Sequence, residues 1–273
     1  MLHSVRRGEG PPLVLLAGIG MAGAAWDPVA ERLAGERELW AVDLPGFGGS
    51  AAFAAGAPCG VEALADSVEA FLGEAGLERP HAAGNSLGGA VALELGRRGA
   101  VASVTALSPA GFAGTTGGEF AYRSLQLTHR VSRALHTRGP RTFARPGVRR
   151  LLCGQIFARP EQLSPDQAYA NVVTLVDGAG FHAVLDALAD FRFAGPVRVP
   201  VTIAWGTRDG LLLPSQALRA RRVLPEARHL WLRGCGHVPM SDDPAQVAAV
   251  LLSGSATGAP AAVVAAAPSN GGH

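Results

Sequence analysis

Short runs of apolar residues recur along the first and last thirds of the chain, and each is followed by a segment with helical spacing. The clearest run, residues 13–17, starts after two prolines and ends at Gly18. Runs that are apolar on both faces are typical of inner strands of a parallel sheet. The pattern predicts strands at 13–17, 38–42, 79–83, 101–107, 196–205 and 228–232. Helical spacing is found at 26–33, 61–75, 90–95, 215–223 and 244–252. This alternation predicts an α/β fold with a doubly wound, mostly parallel sheet.

The pattern changes between residues 113 and 190, where helical segments are separated by Gly and Pro and no strand-like run occurs. We therefore expect a helical cap at 113–190, inserted into an α/β core formed by residues 1–112 and 191–253. Residues 254–273 consist mostly of Ala, Gly, Pro and Ser. This composition predicts a disordered tail that adds nothing to the core.

Composition narrows the class of protein. Of the 273 residues, 48% are hydrophobic and 17% are charged, which is typical of a globular chain, and the net charge of +2 gives no reason to expect nucleic acid as a partner. The three cysteines are widely spaced and match no metal or redox motif, which favours reduced thiols in a cytoplasmic protein. We expect no metal, no cofactor, no secretory signal and no stable membrane insertion.

One stretch of the expected cap has an unusual charge balance. Between Phe120 and Pro160 there is no acidic residue, whereas nine arginines occur, at positions 123, 130, 133, 138, 141, 145, 149, 150 and 159. Arginine stems often cover apolar surface on a solvated helix face. The alternative is a surface that attracts an acidic partner or substrate, such as an acyl carrier or an acidic membrane surface.

Residues 84–89, Gly-Asn-Ser-Leu-Gly-Gly, fit the G-x-S-x-G pattern of a nucleophile elbow, in which a serine occupies a sharp strand-to-helix turn. A serine hydroxyl is a weak nucleophile near pH 7 unless a base, normally a histidine oriented by a carboxylate, accepts its proton. His237 follows the last predicted strand, and Asp209 follows the strand before it. Parallel sheets place their chemistry at the carboxyl ends of strands. We therefore predict a catalytic triad of Ser86, Asp209 and His237.

Four motifs in this order resemble the α/β-hydrolase superfamily, in its serine-nucleophile branch with a helical cap, over residues 1 to about 252. Along the chain they are D-x-P-G-x-G-x-S at 43–50, the elbow at 84–89, W-G-x-x-D-x-x-x-x-P at 205–214, and G-H-x-P at 236–239 followed by Asp243-Pro244. The residue after the nucleophile, Leu87, is expected to donate its backbone N–H to an oxyanion hole. The resemblance implies Ile19 as the second donor. Where the family usually has His-Gly, this chain has Ala17-Gly18.

The resemblance implies a carboxylesterase-like hydrolase that cleaves a small or medium-sized apolar ester through an acyl-enzyme. Relatives that hydrolyse epoxides or haloalkanes use aspartate as the nucleophile, so Ser86 argues against those reactions. The elbow also resembles that of C–C bond hydrolases acting on ring-cleavage products, and thioester or lactone hydrolysis stays open. A different class of function is a ligand receptor on the same fold. Candidates for the pocket wall, or for the core, are Trp26, Phe112, Trp205, Val238 and Met240.

Overall fold

Six of the seven strands run parallel, in a sheet with the order β1-β3-β2-β4-β5-β6-β7, and only β1 at the edge is antiparallel to its neighbour. This is seen in a computed structural model that describes residues 1–256. The strands are β1 (Ser4–Arg7), β2 (Pro12–Leu16), β3 (Glu38–Val42), β4 (His81–Asn85), β5 (Ser103–Leu107), β6 (Val201–Gly206) and β7 (Arg228–Leu232). The predicted fold class is confirmed.

The helices cover both faces of the sheet and, between β5 and β6, one edge of it. They are α1 (Asp27–Leu33), α2 (Val61–Glu74), α3 (Leu87–Arg98), α4 (Thr115–His136), α5 (Pro146–Cys153), α6 (Pro165–Asp177), α7 (Phe181–Ala189), α8 (Ser215–Val223), α9 (Pro239–Asp242) and α10 (Pro244–Gly254). Short 3-10 helices occur at Gly23–Trp26, Pro140–Ala144 and Pro160–Gln162.

Strand β2 shows why the apolar runs become inner strands. Val14 and Leu16 belong to the core beneath α2 and α3, whereas Leu13 and Leu15 belong to the core beneath α1 and α10. All four side chains are 1% exposed or less, because successive residues of a strand point to opposite faces and both faces are covered.

Several strands differ from the sequence prediction: β5 begins at Ser103 rather than at residue 101, and β6 begins at Val201 rather than at residue 196. Strand β1 was not predicted, because three of its four residues are exposed and an exposed edge strand has no apolar run to mark it. The strand before the elbow begins at His81 rather than at residue 79. Arg79 has a φ of 46°, so the chain turns there and enters the sheet only after Pro80.

Four helices, α4 to α7, occupy the segment between β5 and β6, where the sequence predicts a helical cap. Helix α6 begins with a capping box in which Ser164 and Gln167 satisfy each other's backbone N–H groups. Within residues 1–256 no single helix is long and apolar enough to cross a membrane. Helices α6 and α7 meet that requirement only when counted as a pair, and they are bent by 78°.

The arginines of the cap do not share one role. Arg149 is 7% exposed, and its guanidinium donates to the carbonyl oxygens of Phe143, Ala144 and Glu161, so it joins two segments of the cap. Arg123 pairs with Glu119, and the guanidinium of Arg150 lies 3.7 Å from the carboxylate of Glu161. The acids beside Arg123 and Arg150 therefore lie just outside the stretch that lacks acidic residues.

The predicted disordered tail starts too early at residue 254. Gly254 ends α10, and its carbonyl oxygen accepts a hydrogen bond from Ser103 Oγ at 2.9 Å. Ser255 is 2% exposed and accepts from Arg37 Nε at 3.0 Å, because this arginine reaches across from the loop before β3. The rest of the predicted tail, residues 257–273, lies outside the described residues.

Candidate active site

Ser86 lies between the end of β4 and the start of α3, and the tight turn there holds its backbone in an unusual conformation. Its φ of 56° and ψ of −115° are rarely adopted by residues other than glycine. A Cβ added at Gly84 would lie 2.1 Å from the carbonyl oxygen of Gly88, and one added at Gly88 would lie 2.2 Å from that of Leu16. The glycines of the motif are therefore a steric requirement of the turn that presents Ser86.

Asp209 and His237, predicted from separate strand ends, are joined by a hydrogen bond. His237 Nδ1 lies 2.8 Å from Asp209 Oδ2, and both residues are 3% exposed. The other carboxylate oxygen of Asp209 accepts from the backbone N–H groups of Leu211 and Leu212, at 3.0 and 2.8 Å. An ionised carboxylate accepts only, so His237 carries its proton on Nδ1 and leaves Nε2 as the basic nitrogen.

Ser86 and His237 line the same cavity, although no hydrogen bond joins the hydroxyl to Nε2 in this structure. Nε2 makes no hydrogen bond with any residue from 1 to 256. Such contacts are often long in enzymes without substrate and shorten when it binds. The structure thus brings Ser86 and His237 to one cavity, with Asp209 hydrogen-bonded to His237 outside the cavity lining, and leaves Nε2 without a partner among residues 1–256.

Asn85 fixes the backbone beside His237, a role that sequence reasoning missed. Its side chain is fully buried, and its amide nitrogen donates to the carbonyl oxygen of His237 at 2.8 Å and to that of Leu107 at 3.1 Å. The only sequence signal was its place in the elbow, next to Ser86. One amide therefore connects the turn that carries Ser86 with the loop that carries His237 (residues 233–238), which we call the histidine loop.

Asp242 connects the histidine loop to the cap. Its carboxylate accepts from the N–H groups of Gly236 at 2.7 Å, Ala158 at 3.0 Å and Arg159 at 3.1 Å. The neighbouring Asp243 caps α10 by accepting from the N–H of Gln246 at 2.9 Å. Three charge-assisted bonds to one carboxylate hold the cap segment and the histidine loop together.

The two expected oxyanion donors come from the residue after Ser86 and from the loop after β2. Leu87 is the first residue of α3, and Ile19 lies in the loop after β2 and lines the cavity with Ser86. Neither N–H donates to an acceptor within the described part of the chain. A Cβ added at Gly18 would lie 3.3 Å from Ser86 Cβ, so this loop packs directly against the nucleophile.

Two neighbouring pockets, which we call the lobes of the cavity, share four residues in their walls: Ile19, Ser86, Leu125 and Leu211. The first, which we call the α5–α6 lobe, is walled by α4, α5 and α6 and includes Leu152, Ile156, Val172 and Leu175. The second, the Arg192 lobe, is walled by α4, α7 and the segment after α7, and includes Tyr122, Leu185, Leu188 and Arg192.

Of the aromatic and apolar residues considered for the pocket wall, Val238 lines the α5–α6 lobe. The other four, Trp26, Phe112, Trp205 and Met240, are core residues, each 3% exposed or less. Cys153 also lines this lobe, but burial raises the pKa of its thiol to about 11, so it is not a thiolate near neutral pH. Among residues 1–256 no group of three or more His, Cys, Asp and Glu side chains is arranged to hold a metal ion.

Comparison with known proteins identifies the family. The model of the alpha/beta hydrolase family matches residues 13–250. The chain is 31% identical over 270 residues to a pimeloyl-[acyl-carrier protein] methyl ester esterase of Vibrio vulnificus, covering 92% of this chain and 97% of the relative. It is 32% identical over 205 residues to an epoxide hydrolase of Mycobacterium tuberculosis, covering 70% and 92%.

A solved structure shares the fold at lower sequence identity. The thermophilic esterase from Thermogutta terrifontis superposes with a TM-score of 0.71 at 19% identity, over 92% of this chain and 91% of that one. By sequence and by fold, therefore, this chain is a hydrolase of the alpha/beta hydrolase family.

Proposed function

We propose that the protein is a carboxylester hydrolase in which Ser86 is the nucleophile, His237 the general base and acid, and Asp209 the residue that orients His237. The observation that carries the proposal is the placement of a strained, turn-borne serine in one cavity with a histidine whose Nδ1 is bound to a buried carboxylate. Relatives named as esterases support ester cleavage as the reaction.

The proposed reaction has two halves. Ser86 Oγ attacks the carbonyl carbon while its proton passes to His237 Nε2, and the N–H groups of Leu87 and Ile19 stabilise the oxyanion. The intermediate collapses to an acyl-serine as His237 protonates the departing alcohol. Water then attacks the acyl-serine, giving one proton to His237, which returns it to Ser86 as the carboxylic acid leaves.

The cavity wall supports a small or medium-sized substrate with an apolar part. The α5–α6 lobe is lined largely by Leu, Ile and Val side chains, and it contains no formally charged residue within the described chain. Burial of a hydrocarbon chain there contributes about 0.8 kcal/mol per CH₂ group. The serine at the elbow supports acyl transfer rather than the epoxide opening for which one relative is named.

The proposal is tested by p-nitrophenyl esters from acetate to laurate, with native protein and Ser86→Ala assayed together. We expect Ser86→Ala to lose at least about 10³-fold in kcat, because no other described side chain combines the turn and the base. Ser132, also buried and lining the α5–α6 lobe, is the matched serine, and Ser132→Ala is expected to retain turnover within about tenfold.

Turnover that survives in Ser86→Ala would reject the triad. A native protein inactive on esters would be assayed on thioesters, lactones and a vinylogous 1,5-diketone acid, which the same three residues can process. Tight binding of a ligand with slow labelling of Ser86 and no turnover would instead identify a receptor.

We also propose that the cap attracts an acidic partner or an anionic substrate. Six of its arginines are exposed and form no ion pair within residues 1–256; they are Arg130, Arg133, Arg138, Arg141, Arg145 and Arg159. Attraction between exposed charges weakens with salt. Changing three of the six to Gln should lower kcat/KM for an anionic ester at low salt and have little effect in about 0.5 M NaCl. Equal rates at low salt would contradict this.

A further inference from the structure

The two lobes of the cavity differ in charge. The Arg192 lobe is lined by small and apolar residues of α4 and α7 together with one formally charged side chain, Arg192, among the described residues. The α5–α6 lobe offers only neutral polar groups, such as Thr128 and Asn171, besides His237. A substrate that spans both lobes therefore meets a fixed positive charge at one end only.

The charge of Arg192 is not neutralised by a neighbouring acid. Its Nη1 donates to the carbonyl oxygens of Ala189 and Phe191, at 3.2 and 2.7 Å, and no carboxylate lies within 4 Å of it in the part of the chain that is described. The guanidinium also has Nη2, which lies beside Gly118 of α4. Two neutral acceptors hold the side chain in place and leave its other N–H groups for a ligand.

Three acids lie on the segments that wall this lobe, and none of them pairs with Arg192 among residues 1–256. Asp186 accepts a hydrogen bond from the hydroxyl of Tyr122 at 2.7 Å, and Glu119 pairs with Arg123. Asp190, two residues before Arg192, is exposed and forms no ion pair with residues 1–256. Arg192 is therefore unpaired, and among the described residues it is the formally charged side chain in the wall of the lobe.

The start of α4 lies beside the same lobe. Gly118 lines the lobe within the first turn of this 22-residue helix, and the N-cap residue, Gly114, provides no side-chain cap. The guanidinium of Arg219 lies against Gly114. Gln216, 3% exposed, places its amide nitrogen beside Gly117, and its carbonyl oxygen has no partner in the described structure. A helix N-terminus without a side-chain cap favours an anion, and Arg219, which lies outside the lining of the lobe, adds a positive charge beside Gly114.

We propose that the Arg192 lobe binds a carboxylate at one end of the substrate, so that the preferred substrates are esters whose chain ends in a carboxylate. This inference rests on the proposed ester hydrolysis. The apolar, uncharged part lies in the α5–α6 lobe, because a carboxylate there would lose its hydration without finding a cation. Candidate substrates are half-esters of dicarboxylic acids, with the charge on the acyl part, and esters of hydroxy acids, with the charge on the alcohol part.

The test compares pairs of esters that differ only in the terminal group. Monomethyl esters of dicarboxylic acids are measured against methyl esters of monocarboxylic acids of equal length, and butyrate esters of hydroxy acids against butyrate esters of plain alcohols. We expect Arg192→Gln to lower the charged-to-neutral ratio of kcat/KM by about five- to tenfold, mostly through KM. Arg192→Lys should restore part of it, and the difference should shrink at high salt.

Arg198, exposed and outside both lobes, provides the matched control, and Arg198→Gln should leave the ratio unchanged. An equal loss for charged and neutral esters, or an equal effect of Arg198→Gln, would overturn the inference. The series that shows the larger ratio tells which half of the ester faces Arg192.

Binding separates this inference from the proposed reaction. Calorimetry with a half-ester and Ser86→Ala protein needs no turnover, and affinity should fall about five- to tenfold in the Ser86→Ala, Arg192→Gln double variant. Equal affinities would overturn the Arg192 site even if ester hydrolysis is established. Failure of the native protein to hydrolyse any ester, with affinity still dependent on Arg192, would reject the reaction and retain the anion site.

Discussion

Asn85→Leu tests whether the histidine loop is held by the elbow. Leucine has nearly the shape of asparagine but cannot donate, so both hydrogen bonds from the amide nitrogen are lost. The carbonyl oxygen of Leu107 keeps its bond from the N–H of Ser86 at 3.0 Å, whereas that of His237 accepts from no other residue within 1–256. The substitution therefore leaves one buried carbonyl without a partner, and it is the carbonyl of the proposed base.

The size of the effect follows from these contacts. Leaving the His237 carbonyl without a partner lowers the unfolding free energy by about 1–3 kcal/mol. Losing the bond to the Leu107 carbonyl, which stays paired, lowers it by about 1 kcal/mol more. Removal of Asn85 Oδ1, which is buried without a partner, offsets about 1 kcal/mol. The net loss is about 1–3 kcal/mol, or roughly 2–12 °C in Tm for a domain of this size. A shift of about 1 Å in His237 lowers kcat by about 10²-fold.

Thermal and urea unfolding measure the first effect, and kcat and KM on one p-nitrophenyl ester measure the second. A fall in kcat with little change in KM is expected, because Asn85 positions the base while the cavity walls stay in place. A variant as stable as the native protein would show that the two bonds contribute nothing. Reduced stability with native kcat would show that the amide supports the fold and not the position of His237.

Three further substitutions test the elbow, the Asp242 contacts and the buried histidine of the cap. Gly84→Ala should lower the unfolding free energy by about 3 kcal/mol or more, because the added Cβ would meet the backbone of the elbow. Gly73→Ala is the control, since there is open space around Gly73, and it should change the unfolding free energy by less than about 1 kcal/mol. Similar losses for the two variants would refute the steric account. Asp242→Asn replaces one acceptor oxygen by an amide donor that faces the N–H groups now bound to the carboxylate. The unfolding free energy should fall by about 2–3 kcal/mol, and kcat should fall with it. Unchanged unfolding curves would contradict this. Burial, then the charges of His182 and Arg133, hold the pKa of His129 below its ordinary value of 6.5. The unfolded chain therefore takes up this proton at higher pH than the folded protein, and stability falls as pH drops below about 6.5. His129→Phe, which keeps the stack on Phe181, should lose less Tm between pH 7.5 and 5.5 than the native protein, and parallel losses would rule out this contribution.

Part of the candidate site was predictable because its signals are local. The elbow needs glycine within two residues of Ser86, and the sequence around Asp209 and His237 shows a strand followed by a turn. A strand that carries its apolar residues on both faces belongs inside a parallel sheet wherever it occurs. These features depend on neighbours along the chain, so a single sequence contains them.

What only the tertiary structure decided depends on segments far apart in the chain. Asn85 and His237 are separated by 152 residues, and Asp242 meets Ala158 across 84. Neither contact leaves a periodic mark in the sequence, since a single polar side chain can satisfy a distant carbonyl or amide without any pattern around it.

The charge of the cavity shows the same division. Sequence reasoning placed the notable positive charge in the arginine-rich stretch from 123 to 159, whereas the arginine that lines the cavity is Arg192, after the last cap helix. Likewise, Trp26, Trp205 and Met240 are buried in the core and Val238 faces the cavity. Whether a side chain meets solvent, core or substrate is set by how the cap packs on the sheet, and this packing sums many weak contacts that no short stretch of sequence encodes.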